Sequence, residues 1–81
     1  MTTAEIKARK MLAARSTAQL INDWELLEKT FLDHRKTIGP EVFTARGWLL
    51  DEFERRDYDA FVAWMDDEDF EASPRKYYMV G

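Results

Sequence analysis

Leu20, Trp24, Leu27 and Phe31 recur at spacings of four, three and four, and only an α-helix lays such a set along one face. Ser16, with Gln19 three residues on, supplies the capping box that starts this helix. The spacing predicts a helix over residues 17–36. It is closed by Thr37, Ile38, Gly39 and Pro40, a stop signal joined to a proline suited to the first turn of a further helix. That next helix is predicted over residues 40–56, with Val42, Ala45, Leu49 and Phe53 on one stripe and Phe43 and Leu50 beside it. Gly47 lies in its interior, where glycine costs about 1 kcal/mol against alanine, so a close helix crossing is expected there.

The same grammar extends to both ends. Thr2 and Glu5 form a second capping box, predicting a first helix over residues 3–14 whose inner face carries Ala4, Ala8, Met11 and Leu12. Asp57 is placed to cap a short fourth helix over residues 58–66, with Tyr58, Phe61, Val62 and Met65 facing inward. Ser73 and Pro74 then break the helical pattern, and Arg75, Lys76, Tyr77, Tyr78, Met79, Val80 and Gly81 form a basic, aromatic tail over residues 73–81. The expected fold is all-α: a single domain over residues 1–81, built as a compact bundle of about four helices with an extended C-terminal tail.

With 81 residues and no cysteine, neither a large catalytic architecture nor a disulfide or thiolate-zinc scaffold is available, and apolar packing must hold the fold. Three glycines and two prolines are too few for a turn-dense β protein. No apolar stretch has signal-peptide or membrane-spanning length, which gives a cytoplasmic expectation and no membrane partner. The net charge is −4, with the halves unequal: residues 1–36 carry seven basic against five acidic side chains, and residues 37–81 five against eleven. An acidic chain repels phosphate backbones, so nucleic acid is disfavoured as a partner, with a small basic patch at Lys7, Arg9, Lys10 and Arg15 as the exception to weigh.

Chemistry-bearing constellations are sparse. Asp66, Asp67, Glu68, Asp69 and Glu71 concentrate five carboxylates in six positions. Asp67, Asp69 and Glu71 match the first alternating ligands of a calcium loop, but Ala72 replaces its glycine and Tyr78 its closing glutamate. The run therefore reads as a solvated acidic surface able to attract a basic protein. His34 is the single histidine and suits a helix C-terminus. Ser16 and Ser73 are explained by a cap and a turn, so no catalytic residue, cofactor or metal site is expected, and the chain is not read as an enzyme. Arg46 falls on the inner side of its helix and calls for a carboxylate partner from another helix, such as Asp23 or Glu28, or from the C-terminal region. Leu26 and Trp48 project away from the main stripes and Trp64 lies at the flank of its own. Either the first helix and the tail cover them or they form a partner-binding patch. A helix-turn-helix reading is opposed by Asp51, Glu52 and Glu54 in the recognition position.

The segments RSTAQL (15–20), GPEV (39–42), RGWLLDEFERRD (46–57), AFVAWMD (60–66) and SPR (73–75) resemble small helical proteins of actinobacteria and of their phages and plasmids. The resemblance spans most of the chain and contains no catalytic motif. It implies that the arginine-tryptophan segment and the tail belong to the folded unit, and that a mobile genetic element is the origin. The resulting expectation is a non-enzymatic interaction module, a phage or plasmid accessory or inhibitory protein that engages a basic protein partner through its acidic half. The alternatives are a small DNA-associated regulator using the basic N-terminal helix, and a structural module that forms homodimers.

Overall fold

Three caps and one Gly-Pro junction divide the chain into the elements seen in a computed structural model, which describes residues 2–34, 36–37, 39–69 and 71–78. Helix α1 spans Thr3–Ala14, α2 Thr17–His34, α3 Pro40–Arg56 and α4 Tyr58–Met65, and a single 3-10 turn follows at Pro74–Lys76. Thr2 Oγ1 accepts from the Glu5 amide at 3.1 Å and starts α1. Ser16 and Gln19 exchange reciprocal cap bonds of 2.9 and 3.1 Å ahead of α2. Pro40 opens α3 without needing its missing N–H. Asp57 alone separates α3 from α4, its backbone extended and its carboxylate accepting from the Ala60 amide at 3.0 Å. The four predicted helices are thus present within two residues of their expected ends, in a compact all-α bundle.

The core is a cluster of aromatic edges. Leu20, Ile21 and Trp24 of α2, Leu49 and Phe53 of α3, Ala60 and Trp64 of α4, and Tyr78 are buried together. Trp24 meets Trp64 edge to face with ring centres 5.0 Å apart, and Phe53 touches Trp24, Trp64 and Tyr78 at 6.3, 5.4 and 5.1 Å. Such contacts add about 0.5–1.5 kcal/mol each beyond the area they bury. Arg46 lies over the rings of Trp24 and Phe31 at 5.0 and 5.4 Å. Its Nε faces Glu28 Oε1 at 3.0 Å, one of the partners expected for it. The two buried atoms are not aligned as a hydrogen bond, so charge attraction and the aromatic faces hold the guanidinium.

Two helices depart from the expected inner face: α1 keeps Ala8 and Leu12 inward but not Ala4 or Met11, and α4 keeps only Phe61. In α1, Met11 is 70% exposed, no residue is fully buried, and the side toward α3 is formed by Glu5, Ala8, Arg9 and Leu12. On that side Arg9 reaches Asp51 of α3 at 3.1 Å and Glu5 at 3.2 Å, while Leu12 packs on the core. In α4 the inner stripe is Ala60, Phe61 and Trp64, while Tyr58, Val62 and Met65 are exposed. Only Phe61 of the expected set packs on the core. Among the described residues no helix crosses at Gly47 either, where a Cβ would meet nothing within 4 Å.

Arg56 ties three elements together. Its Nε donates to Glu52 at 2.8 Å, Nη1 to Thr17 Oγ1 at 3.2 Å, and Nη2 to the carbonyls of Leu12, Ala13 and Arg15 at 3.0, 3.3 and 2.6 Å. A cation thus sits on the orphaned carbonyls at the end of α1. Glu52 is buried, and hydrogen bonds from Arg55 and then Arg56 hold its carboxyl below the usual glutamate range.

The tail docks on the bundle. Pro74 is buried, Arg75 reaches Glu25 and Asn22 at 2.8 Å, and Ser73 donates to Glu25 at 2.8 Å. The Tyr78 hydroxyl donates to the Phe53 carbonyl at 2.7 Å, and burial followed by the charges of Asp57 and Glu54 pushes it up to about 12. The remaining tail residues, Met79, Val80 and Gly81, lie outside the described residues.

Candidate interaction surface

The acidic run forms a turn rather than a block. Asp67 Oδ1 accepts from the Asp69 amide at 2.8 Å, and Asp69 Oδ1 accepts from the Glu71 amide at 2.9 Å, two successive side-chain turns of the kind aspartate favours. Trp64 Nε1 donates to the Ala72 carbonyl at 2.8 Å and pins the far end of the loop to α4. Within this frame Asp66, Glu68, Asp69 and Glu71 are exposed.

Asp67 has a different fate. Its side chain is 10% exposed and its Oδ2 accepts from the Tyr77 hydroxyl and from Lys76 Nζ at 3.1 Å. The Tyr77 hydrogen bond, the Asp69 amide and Lys76 together lower its pKa from 3.8 to about 2. Asp67 therefore holds the tail to the loop and is no part of a free acidic face. Because folding favours its charged form, its contribution is complete above about pH 4 and is lost as pH falls toward 2. Asp67→Asn is expected to lower the melting temperature at neutral pH and to flatten the acid limb of stability between about pH 4 and 2, read from thermal melts across that range. An unchanged acid limb would place the tail clasp elsewhere.

The three apolar candidates separate. Trp64 is buried in the core beneath the loop, so it offers no surface to a partner. Leu26 is 67% exposed on the polar side of α2, where its neighbours one turn away are Asn22, Asp23, Lys29 and Thr30; a single exposed leucine is ordinary. Trp48 is half-buried in the seam between α1 and α3, with Ala8, Met11 and Ala45 on one side of its groove and Ile6 and Ala13 on the other. The first helix thus covers Trp48 in part, and the loop covers Trp64 completely.

Exposed large apolar side chains are spread over the bundle at Ile6, Met11, Leu26, Leu32 and Phe43, and three more share one stripe of α4. Tyr58, Val62 and Met65 follow one another at spacings of four and three, and Tyr58 is 63% and Met65 48% exposed. On the helical wheel Asp59 and Asp66 edge this stripe on one side. Helix α4 is therefore apolar on two faces, one packed on α3 and one open. The signal was present in the sequence: seven of the eight residues YDAFVAWM are apolar, more than one buried face requires. Among the described residues, no group of three or more His, Cys, Asp or Glu is arranged to hold a metal ion, and no helix is long and apolar enough to cross a membrane. Comparison with protein families, curated proteins and solved structures finds no match to this chain.

Proposed function

We propose that this protein is a non-enzymatic interaction module that captures a basic protein partner through α4 and the acidic turn after it. The observation that carries this reading is the juxtaposition of the open stripe Tyr58, Val62 and Met65 with exposed Asp59, Asp66, Glu68, Asp69 and Glu71. Apolar area supplies affinity when buried, and the acidic rim steers a basic partner toward it. In its specific form the module is an accessory or inhibitory protein of a phage or plasmid, its carboxylates standing where nucleic-acid phosphates would meet a basic host protein. The DNA-regulator alternative is weakened by the basic helix itself. Arg9 is engaged by Glu5 and Asp51, and Arg15 by Asp23 at 3.0 Å, so only part of that patch is available to phosphate.

The test combines Asp66→Asn, Glu68→Gln, Asp69→Asn and Glu71→Gln in one protein and spares Asp67. Asparagine at 69 keeps the side-chain turn, so the melting temperature is expected to hold within a few degrees. Association with the partner retained by an affinity column should slow several-fold and lose much of its salt dependence. Equal association rates and equal salt slopes for variant and wild type would end the acidic-surface reading.

A further inference from the structure

Gly47 is the feature the fold leaves unexplained. It lies mid-helix in α3, where glycine is a poor helix former, and a Cβ there would meet nothing within 4 Å. Among the described residues, no close packing requires its small size. Its neighbours one turn away on α3 are exposed Phe43 and Thr44 on one side and partly buried Leu50 and exposed Asp51 on the other, with exposed Glu54 a turn beyond. Leu50 and Met65 line one hollow, so this side of α3 runs into the open stripe of α4. Phe43 also meets Phe31 edge to face at 5.4 Å. With Leu50 of α3 and Val62 and Met65 of α4 it gives an apolar strip beside Gly47, interrupted on α3 by exposed Thr44, Asp51 and Glu54 and edged on α4 by Asp59 and Asp66. The cation at its margin, Arg46, is already held by Glu28.

We infer that this α3–α4 face seats a basic amphipathic helix of the partner, which lies across α3 at Gly47 and packs its apolar side on Phe43, Leu50, Val62 and Met65. The inference rests on the interaction reading above and adds the form of the partner. A glycine without a side chain lets two helix backbones approach closely, the apolar strip matches the stripe of an amphipathic helix, and the carboxylates select lysine and arginine on its flanks. A second copy is a poorer occupant. A copy presenting this same acidic face would place like charges together, and one presenting its basic α1 would make a head-to-tail contact with no reason to close.

The probe is an 18-residue helical peptide of leucine and lysine, with a leucine-glutamine peptide as its neutral counterpart, titrated while backbone amide shifts are followed. The leucine-lysine peptide is expected to move the amides of α3 around residue 47 and of α4. Gly47→Ala should raise the melting temperature by roughly 4 °C or more, because alanine is the better helix former, and yet weaken the peptide several-fold. Gly47→Leu, which fills the point of approach, should weaken it at least tenfold while the protein stays folded. Stability and binding moving in opposite directions is the signature of a site; a merely structural glycine would lose both. If both Gly47 variants bind like wild type while the charge-neutralised protein binds weakly, the helix seat is wrong and the acidic surface stands. Should the two peptides bind equally and Gly47→Leu still abolish binding, the seat stands and the acidic selection falls. Amide shifts confined to α2, or a dimer of the free protein that Gly47→Leu dissociates, would overturn the inference.

Discussion

Trp24→Ala is expected to cost about 3 to 5 kcal/mol, the usual range for emptying a buried tryptophan site. A domain of this size has roughly 4 to 12 kcal/mol to lose at ordinary per-residue stabilities, so the variant stands close to unfolding at room temperature. The magnitude follows from what the indole touches. Trp24 is buried, meets Phe53 and Trp64 edge to face, and forms the platform on which the Arg46 guanidinium rests. Removing it opens a cavity between α2, α3 and α4 and leaves the Arg46–Glu28 pair with one aromatic face in place of two. Trp24→Phe should recover a large part of the loss by refilling the cavity, whereas Trp24→Leu refills volume without a ring for Arg46. Thermal and urea melts of the three variants check this order. A Trp24→Ala protein that melts within a few degrees of wild type would mean that the core is centred elsewhere.

What the sequence made legible was what local chemistry decides. Each helix start is a short-range event: Thr2 with Glu5, Ser16 with Gln19 and Asp57 with Ala60 are bonds across three residues, and the 18 residues of α2 give its apolar period five turns in which to declare itself. The faces of the two shortest helices were not legible. In α1 the side toward α3 includes Arg9, which meets Asp51, 42 residues away, and an apolar pattern counts that arginine as solvent-seeking. In α4, eight residues are too few for one stripe to outvote another when nearly all are apolar.

The candidate surface shows the same boundary between local and distant causes. The five carboxylates of residues 66–71 look equivalent as letters, yet Asp67 is held by Tyr77, ten residues on, while its neighbours stay exposed. Trp64 was a candidate anchor because its position on α4 is flanking; the carbonyl of Ala72 closes over its indole N–H and takes it out of contention. Tyr58, Val62 and Met65 form a stripe that the sequence alone assigns to the inner side, and the structure leaves it open. The difference has a physical origin, since a helix with two apolar faces looks the same whichever of them finds its partner within the chain. Gly47 belongs to the same class: its cost is visible in the sequence, and only the structure shows that no described residue packs close enough to account for it.

Arg56→Ala is expected to destabilise the protein by about 3 kcal/mol or more, a large effect for a side chain that no apolar pattern singles out. The guanidinium is mostly covered and satisfies the carbonyls of Leu12, Ala13 and Arg15 together with Thr17 Oγ1 and Glu52. Its loss leaves those carbonyls at the end of α1 without their cation, and leaves the buried Glu52 with Arg55, whose own side chain is 62% exposed, as its ion-pair partner. Helix α1 should loosen first, because it has no fully buried residue of its own and twelve residues make a marginal helix in isolation. Arg56→Lys tests the geometry: an ammonium keeps the charge but cannot fork toward Glu52, Thr17 and three carbonyls at once, so it should recover only part of the loss. Glu52→Gln on the Arg56→Ala background removes the buried charge left with one partner, and should restore stability relative to Arg56→Ala alone. Amide hydrogen exchange gives the decisive readout. In Arg56→Ala the protection of residues 5–14 should fall toward the unprotected limit while that of α2 and α3 drops only by the global loss; protection falling equally in all three helices would show that Arg56 contributes to the bundle as a whole rather than clamping α1 to it.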